Sequence, residues 1–417
     1  MIAIDFGTTN SSVALIVEGD TEPRVQRLGA LDADAIDPSI VPSAVSECRN
    51  HQCRAKPVLI GYEAIRHYFN TDHDISFLQE MKLHFDHTTK QAPSLVQTAE
   101  VVTLREEGGF LTPERRGLHQ PIYEGDVPLS PAVFVPGTAD LIKRLLTETG
   151  ALRETDFVFG VPASFHTPGK KRLREAAKRA IRGEVSNNYE GINIYLEPVA
   201  AARAYRDLES GNTLVLDYGG GTLDISVMRF DKGGSFNPGN VKYGGFSEGG
   251  SRMDQRLLEY CLDKAGIEVG NWFPKQNLLT RRRVKRSVEE AKIRLSIEAT
   301  ATVEFPGTSC ERLEINRADL TTALAPILNR MVAKVAEVVI KAVGNLDKID
   351  FVVLSGGSSL SSAVQDTVVS VFRHIPQERF FLPDPKKPQD VETCLCAVAK
   401  GLAWLRYDGF PPIDLSN

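Results

Sequence analysis

The chain has 417 residues, 42 % of them hydrophobic, and a formal charge of −5 from 49 basic and 54 acidic side chains. Such a length predicts two or three domains, and the near-balanced charge leaves no basic footprint for nucleic acid. No apolar run approaches the ~18 residues of a membrane span, and no charged leader precedes Ile2-Ala3-Ile4, so a cytosolic protein is expected.

The first element is a short strand, Ile2-Ala3-Ile4, which ends on the carboxylate Asp5 and turns through Phe6-Gly7-Thr8-Thr9 into a second apolar run, Val13–Val17. Cys48, His51 and Cys53 follow, but their spacing lacks the CxxC pairs of a zinc site; with Cys394 and Cys396 they read as reduced thiols. From about Pro38 to Asp126 the periodic pattern weakens, as in an insertion. Asp156–Val161 predicts a buried strand, and Pro168 to Ile181 a helix with Leu173, Ala176, Ala177, Ala180 and Ile181 on one face. Lys170-Lys171-Arg172 belongs to its solvated side.

Just past the midpoint Leu214-Val215-Leu216-Asp217-Tyr218-Gly219-Gly220-Gly221-Thr222 repeats the grammar of the N-terminus, again followed by an apolar run, Ile225–Met228. Strand, glycine turn, strand is a hairpin signal, and two such hairpins predict a duplicated core. A second insertion spans about Gly249 to Asn316, with a charged helix from Thr280 to Ser296 and a strand from Ala299 to Phe305. Its basic cluster, Arg281 to Arg286, precedes Glu289 and Glu290 and predicts a solvated helix face. Phe351–Leu354 predicts a strand, Ser361 to Phe372 a helix, and Gly409-Phe410-Pro411-Pro412 the end of the last helix. Strands alternating with helices imply α/β lobes.

Glycine turns after strands let backbone N–H groups approach an anion, and both Gly7-Thr8-Thr9 and Gly219-Gly220-Gly221-Thr222 suit a phosphate chain. Asp5 and Asp217, at the two strand ends, suit hydrated Mg2+, which prefers oxygen ligands and keeps several waters. Leu354-Ser355-Gly356-Gly357-Ser358 runs a strand through a double glycine towards a helix; it serves equally as a plain strand-to-helix turn or as a seat for a flat group. Neither a P-loop nor a nucleophile elbow occurs.

Taken together, Asp5-Phe6-Gly7-Thr8-Thr9-Asn10, Asp217 to Asp224, and Gly356-Gly357-Ser358 resemble the two phosphate motifs and the adenosine motif of the actin, hexokinase and chaperone superfamily. Within it, Val161-Pro162-Ala163-Ser164-Phe165, Glu197 to Ala202, Glu290-Ala291-Lys292 and Ala399 to Ala403 resemble segments of the DnaK-type heat-shock chaperones. The resemblance spans nearly the whole chain. It implies an actin-like α/β ATPase fold of two ribonuclease-H-like lobes around a nucleotide cleft. The lobe I core would comprise 1–38 and 125–210 with an insertion at 39–124; the lobe II core 211–248 and 317–408 with an insertion at 249–316; and 409–417 would be a tail.

What the resemblance implies for single residues follows motif by motif. Asp5 and Asp217 would organise Mg2+ and its waters. Gly7, Thr8, Thr9, Asn10, Gly219, Gly220, Gly221 and Thr222 would cradle the phosphates of ATP or ADP. Glu197 would orient a metal-bound water, Asp224 would accept the attacking water's proton, and Lys82 would neutralise charge on the transferring phosphoryl group. Gly250, Glu289, Lys292, Ile293, Ser296, Gly356, Gly357, Ser358 and Leu360 would line the nucleoside site. Ile293 and Leu360 stand where the family has arginines, and arginine stacking on a base adds cation–π energy. The implied activity is a slow Mg-dependent ATPase used as a conformational switch by a monomer, with co-chaperone or nucleotide-exchange partners and no membrane or nucleic-acid partner. Asn417 follows soon after the motifs end, so the expectation is the ATPase half without a substrate domain. Two other readings share the core: a non-catalytic nucleotide sensor, and a small-molecule kinase such as a sugar kinase.

Overall fold

The computed structural model describes residues 1–7, 10–17, 19–20, 22–28, 40–47, 58–70, 76–78, 101–107, 110–116, 131–149, 156–163, 165, 167–181, 191–205, 210–231, 240–246, 248–267, 272 and 275–414. The chain begins with strands β1 (Ile2–Asp5), β2 (Asn10–Leu15), β3 (Arg24–Val25) and β4 (Ile40–Pro42). Next come β5 (Val45–Glu47), β6 (Val58–Ile60), helix α1 (Gly61–Asn70), β7 (Ser76–Leu78) and the hairpin β8 (Val101–Glu107) and β9 (Phe110–Arg116). Helix α2 (Pro131–Glu148), β10 (Asp156–Val161), α3 (Thr167–Ile181), β11 (Gly191–Leu196) and α4 (Glu197–Arg203) complete the first half.

The second half opens with β12 (Gly211–Tyr218), β13 (Leu223–Phe230) and β14 (Lys242–Phe246). Helices α5 (Gly250–Lys264) and α6 (Leu278–Ile297), the hairpin β15 (Thr300–Glu304) and β16 (Arg312–Asn316), and the long helix α7 (Arg317–Val343) follow. Then come β17 (Phe351–Ser355), α8 (Ser362–Val371), β18 (Phe380–Phe381), α9 (Pro388–Leu395) and α10 (Ala397–Tyr407).

The pairing of strands repeats. In the first sheet β3, β2 and β1 form an antiparallel meander, and β10 and β11 then add parallel to β1. In the second, β14, β13 and β12 form the meander, and β17 and β18 add parallel to β12. The duplicated core expected from the hairpins is therefore a duplicated five-strand topology, the two halves of an actin-like fold.

Strand alternation sorts the side chains of each sheet between two cores. Ile2 and Ile4 pack with α2 and α3, whereas Ala3 points the other way. Leu214, Leu216 and Tyr218 pack with α5 and α7, while Val215 points with Ala3 into a third, shared core. That shared core is built on α4 and α10, which lie between the sheets with Ala200, Ala201, Ala202, Leu402 and Ala403. Small residues let the two helices approach until a Cβ on Gly401 would lie 1.6 Å from the Ala200 carbonyl oxygen. Only glycine fits there. Ion pairs from Arg203 to Asp408 and from Arg406 to Asp156, the latter at 2.9 Å, fasten the end of α10 to the first half.

Helix α7 starts with a reciprocal cap, in which the Asn316 side chain accepts from Asp319 N–H and the Asp319 carboxylate accepts from Asn316 N–H; it ends on left-handed Gly344. The basic cluster needs a correction. Arg281, Arg283 and Arg286 lie on the accessible part of α6, but Arg282 is 1 % exposed and among the largest fully buried side chains. Two turns before Glu289 it lies on the same face of α6, where a long apolar stem is worth burying. Among the described residues no helix is long and apolar enough to cross a membrane.

Candidate nucleotide site

The two hairpins place matching residues at matching strand ends. In the first, Asp5 pairs across to Ser12; in the second, Asp217 pairs across to Asp224. Asp5 and Asp217 are half-buried, and Asp224 is buried. Gly7 lies under the carbonyl of Asn10, the first residue of β2. Thr8, Thr9 and Lys82 lie outside the described residues, as do Cys48, His51 and Cys53.

The second hairpin's turn is held by three chain segments. Gly219 N–H donates to the Thr222 carbonyl at 3.0 Å, closing the turn. Its outward carbonyls then act as acceptors: Gly250 N–H reaches the Gly219 oxygen at 3.0 Å and Ser251 N–H the Gly220 oxygen at 2.8 Å. Ser358 Oγ donates to the same Gly219 oxygen at 2.8 Å. The turn Gly219-Gly220-Gly221-Thr222, the start of α5 and the Gly356-Gly357-Ser358 turn thus converge on one point.

Helix α6 supplies charge to the same place. Lys292 Nζ lies 2.7 Å from Asp254 Oδ1 on α5 and donates to the Gly250 carbonyl at 3.3 Å. Glu289 sits one turn earlier on that face. Burial pushes the Asp254 carboxyl above its ordinary range, with Lys292 opposing. Burial, then the Asp254 charge, pushes Glu289 up to about 7, against the pull of Lys292. Ser296 follows at helical spacing, but its carbonyl accepts from Arg317 Nη2 at 3.4 Å, which ties it to α7. Ile293 is 36 % exposed and therefore available to a ligand, and Leu360 is half-buried at the end of the turn Gly357–Leu360.

In the first half Glu197 opens α4 and is 4 % exposed. A Cβ on Gly160 of β10 would lie 2.9 Å from Glu197 Cγ, so the absence of a side chain there makes room for the glutamate. The hydroxyl of Ser226 on β13 donates to the Pro198 carbonyl at 3.4 Å, tying the start of α4 to the strand that carries Asp224. Two features of the site have no counterpart among the expected residues: Ser355, whose hydroxyl donates to Asp217 Oδ1 at 2.9 Å, and Asp254 as the partner of Lys292. A polar residue closing an otherwise apolar strand, Phe351-Val352-Val353-Leu354-Ser355, is the signal that could have marked the first.

A five-strand topology present twice, each with a hairpin whose first strand ends on an aspartate, is that of an actin-like ATPase fold. Residues 138–384, more than half of the chain, match the family model described as HSP70: Hsp70 protein. The chain belongs to the Hsp70 family, and its domain is of the chaperone-type ATP-binding kind.

Proposed function

We propose that the chain is a slow, Mg-dependent ATP hydrolase whose lobes act as a conformational switch, and that the residues gathered at the two hairpins form its site. The observation that carries this reading is the convergence of two segments, the start of α5 and the Gly356-Gly357-Ser358 turn, on the Gly219 and Gly220 carbonyls, which fixes the glycine turn proposed to take a phosphate chain. In this reading Gly219, Gly220, Gly221 and Thr222, with Gly7, Thr8, Thr9 and Asn10 opposite, bind the phosphates through N–H and hydroxyl donors. Gly250, Glu289, Lys292, Ile293, Ser296, Gly356, Gly357, Ser358 and Leu360 line the nucleoside.

Magnesium fits the donor set. Asp5 and Asp217 offer hard carboxylate oxygens at the strand ends that lead into the two proposed phosphate turns. Two carboxylates suffice for an ion that keeps most of its waters. When bound, it would neutralise charge between the phosphates. Glu197 orients water, and Asp224, buried and facing Asp217 across the hairpin, accepts a proton from the attacking water. Lys82 is assigned to charge neutralisation on the transferring group. Lobe closure on nucleotide is the output, read by co-chaperone or exchange partners acting on a cytosolic monomer.

Calorimetric titration with ATP and with GTP, in Mg2+ and in EDTA, tests the proposal. We expect Mg-dependent, micromolar ATP binding with weak discrimination against GTP, because Ile293 and Leu360 offer apolar contact without a stacking cation. Absence of binding to either nucleotide would overturn it.

A further inference from the structure

Ser355 closes β17 and is fully buried, directly beside Asp217 in the parallel register of β17 and β12. A buried hydroxyl needs a partner, and this one donates to Asp217 Oδ1 at 2.9 Å. The next residue approaches the same atom from another side. Gly356 adopts φ +81°, and a Cβ on it would lie 2.9 Å from Asp217 Oδ1 and 2.5 Å from the Tyr218 carbonyl oxygen. Its peptide is pinned in turn by Cys394 of α9: Gly356 N–H donates to the Cys394 carbonyl at 3.0 Å, and the Cys394 thiol donates to the Gly356 carbonyl at 3.2 Å. Oδ1 therefore has a hydroxyl on one side and a locked glycine on another.

We propose that Ser355 is a positioning residue for Asp217, fixing the carboxylate in the rotamer from which it meets the metal, and that it thereby ties the double-glycine turn to the metal-facing end of β12. The inference rests on the nucleotide reading above. It deepens that reading by giving the turn a second task besides lining the nucleoside: Ser358 holds the phosphate turn through Gly219, and Ser355 holds the carboxylate two residues earlier. A displacement of the turn by a bound base would be felt at both.

Two measurements on the full chain decide the matter. The first needs no nucleotide: crystal structures of the wild type, Ser355→Ala, Ser355→Thr and Ser359→Ala. Asp217 should leave its wild-type rotamer in Ser355→Ala and keep it in Ser355→Thr, which retains the donor. It should also keep it in Ser359→Ala, which removes an equally buried hydroxyl that donates to the Ser355 carbonyl instead. The second is calorimetric ADP binding in Mg2+ and in EDTA. Losing a hydrogen bond to a charged group should weaken the Mg-dependent affinity about tenfold in Ser355→Ala and leave binding in EDTA unchanged. An unmoved Asp217 in Ser355→Ala, equal losses with and without Mg2+, or a loss in Ser359→Ala matching that in Ser355→Ala would overturn the proposal. If the wild type binds no ADP while Asp217 moves only in Ser355→Ala, the positioning role stands and the nucleotide reading falls.

Discussion

The two halves share a strand order but differ in what stands beside the carboxylate that ends the first strand of each hairpin. In the first, Asp5 faces Ser12, and continuing the β1–β10 register by one residue sets it beside Gly160, which yields its space to Glu197. In the second, Asp217 faces Asp224 and is held by Ser355. Topology thus builds two equivalent strand ends, and a few register positions assign them different work. One half contributes a carboxylate on a helix N-terminus that leans over the sheet; the other contributes a carboxylate pair on adjacent strands and a hydroxyl that orients one of them.

The sharpest way to break this comparison is to mutate the two positions that correspond across it. Asp224→Asn removes the proposed proton acceptor and should slow ATP hydrolysis by roughly a hundredfold to a thousandfold, measured as single-turnover phosphate release. Ser12→Ala, at the matching place in the first half, should change it by less than about threefold. Equal effects would mean that the halves are chemically interchangeable.

The seam between the halves comes next. Gly401→Ala puts a methyl group 1.6 Å from the Ala200 carbonyl oxygen, so α4 and α10 must separate. We expect destabilisation of at least roughly 1–3 kcal/mol in urea unfolding, together with weakened nucleotide binding as Glu197 shifts with α4. A variant as stable as the wild type would show that the seam yields without cost.

A third effect belongs to the second half alone. Glu289 has a folded-state value near 7 against an ordinary 4.5, because burial and Asp254 disfavour its charge. Between those two values the folded state holds more protons than the unfolded state, so this group's contribution should favour folding least at high pH: stability is lost as pH rises from about 5 to 7. Glu289→Gln should remove that slope and raise stability at pH 8 by about 1–3 kcal/mol, read as Tm against pH. An unchanged slope would place its origin elsewhere. The smallest effect concerns the base. Ile293→Arg should tighten ATP binding about two- to fivefold by restoring a stacking cation, and an unchanged Kd would mean that Ile293 does not reach the base.

How far the sequence reveals this architecture depends on which physical signal each part carries. The strand Asp156–Val161 is legible to the residue because it is buried on both faces and reads as an uninterrupted apolar run. Helix α6 is legible to within two residues, since its charges alternate with buried Val284, Val288, Ala291 and Leu295. Arg282 was not, because charge patterning cannot distinguish a guanidinium stem packed in the core from one in water. Helix α5 starts on Gly250-Ser251-Arg252, where nothing announces a helix; its N-terminus exists because Gly250 and Ser251 donate to a turn some thirty residues away. The candidate site divides the same way. Asp5, Asp217 and Asp224 stand out by motif, whereas the convergence on Gly219 and Gly220 is made by backbone atoms, which leave no mark on side-chain identity, and the Ser355 bond depends on a register between strands more than a hundred residues apart.

In the proposed function the two hairpins bind and hydrolyse ATP with magnesium. Single-turnover phosphate release from ATP, with the chain in excess, measured in Mg2+ and in EDTA, tests it most directly. Slow release in Mg2+ that falls to background in EDTA is the result expected. Nucleotide bound in Mg2+ with no phosphate released above the buffer rate would contradict it.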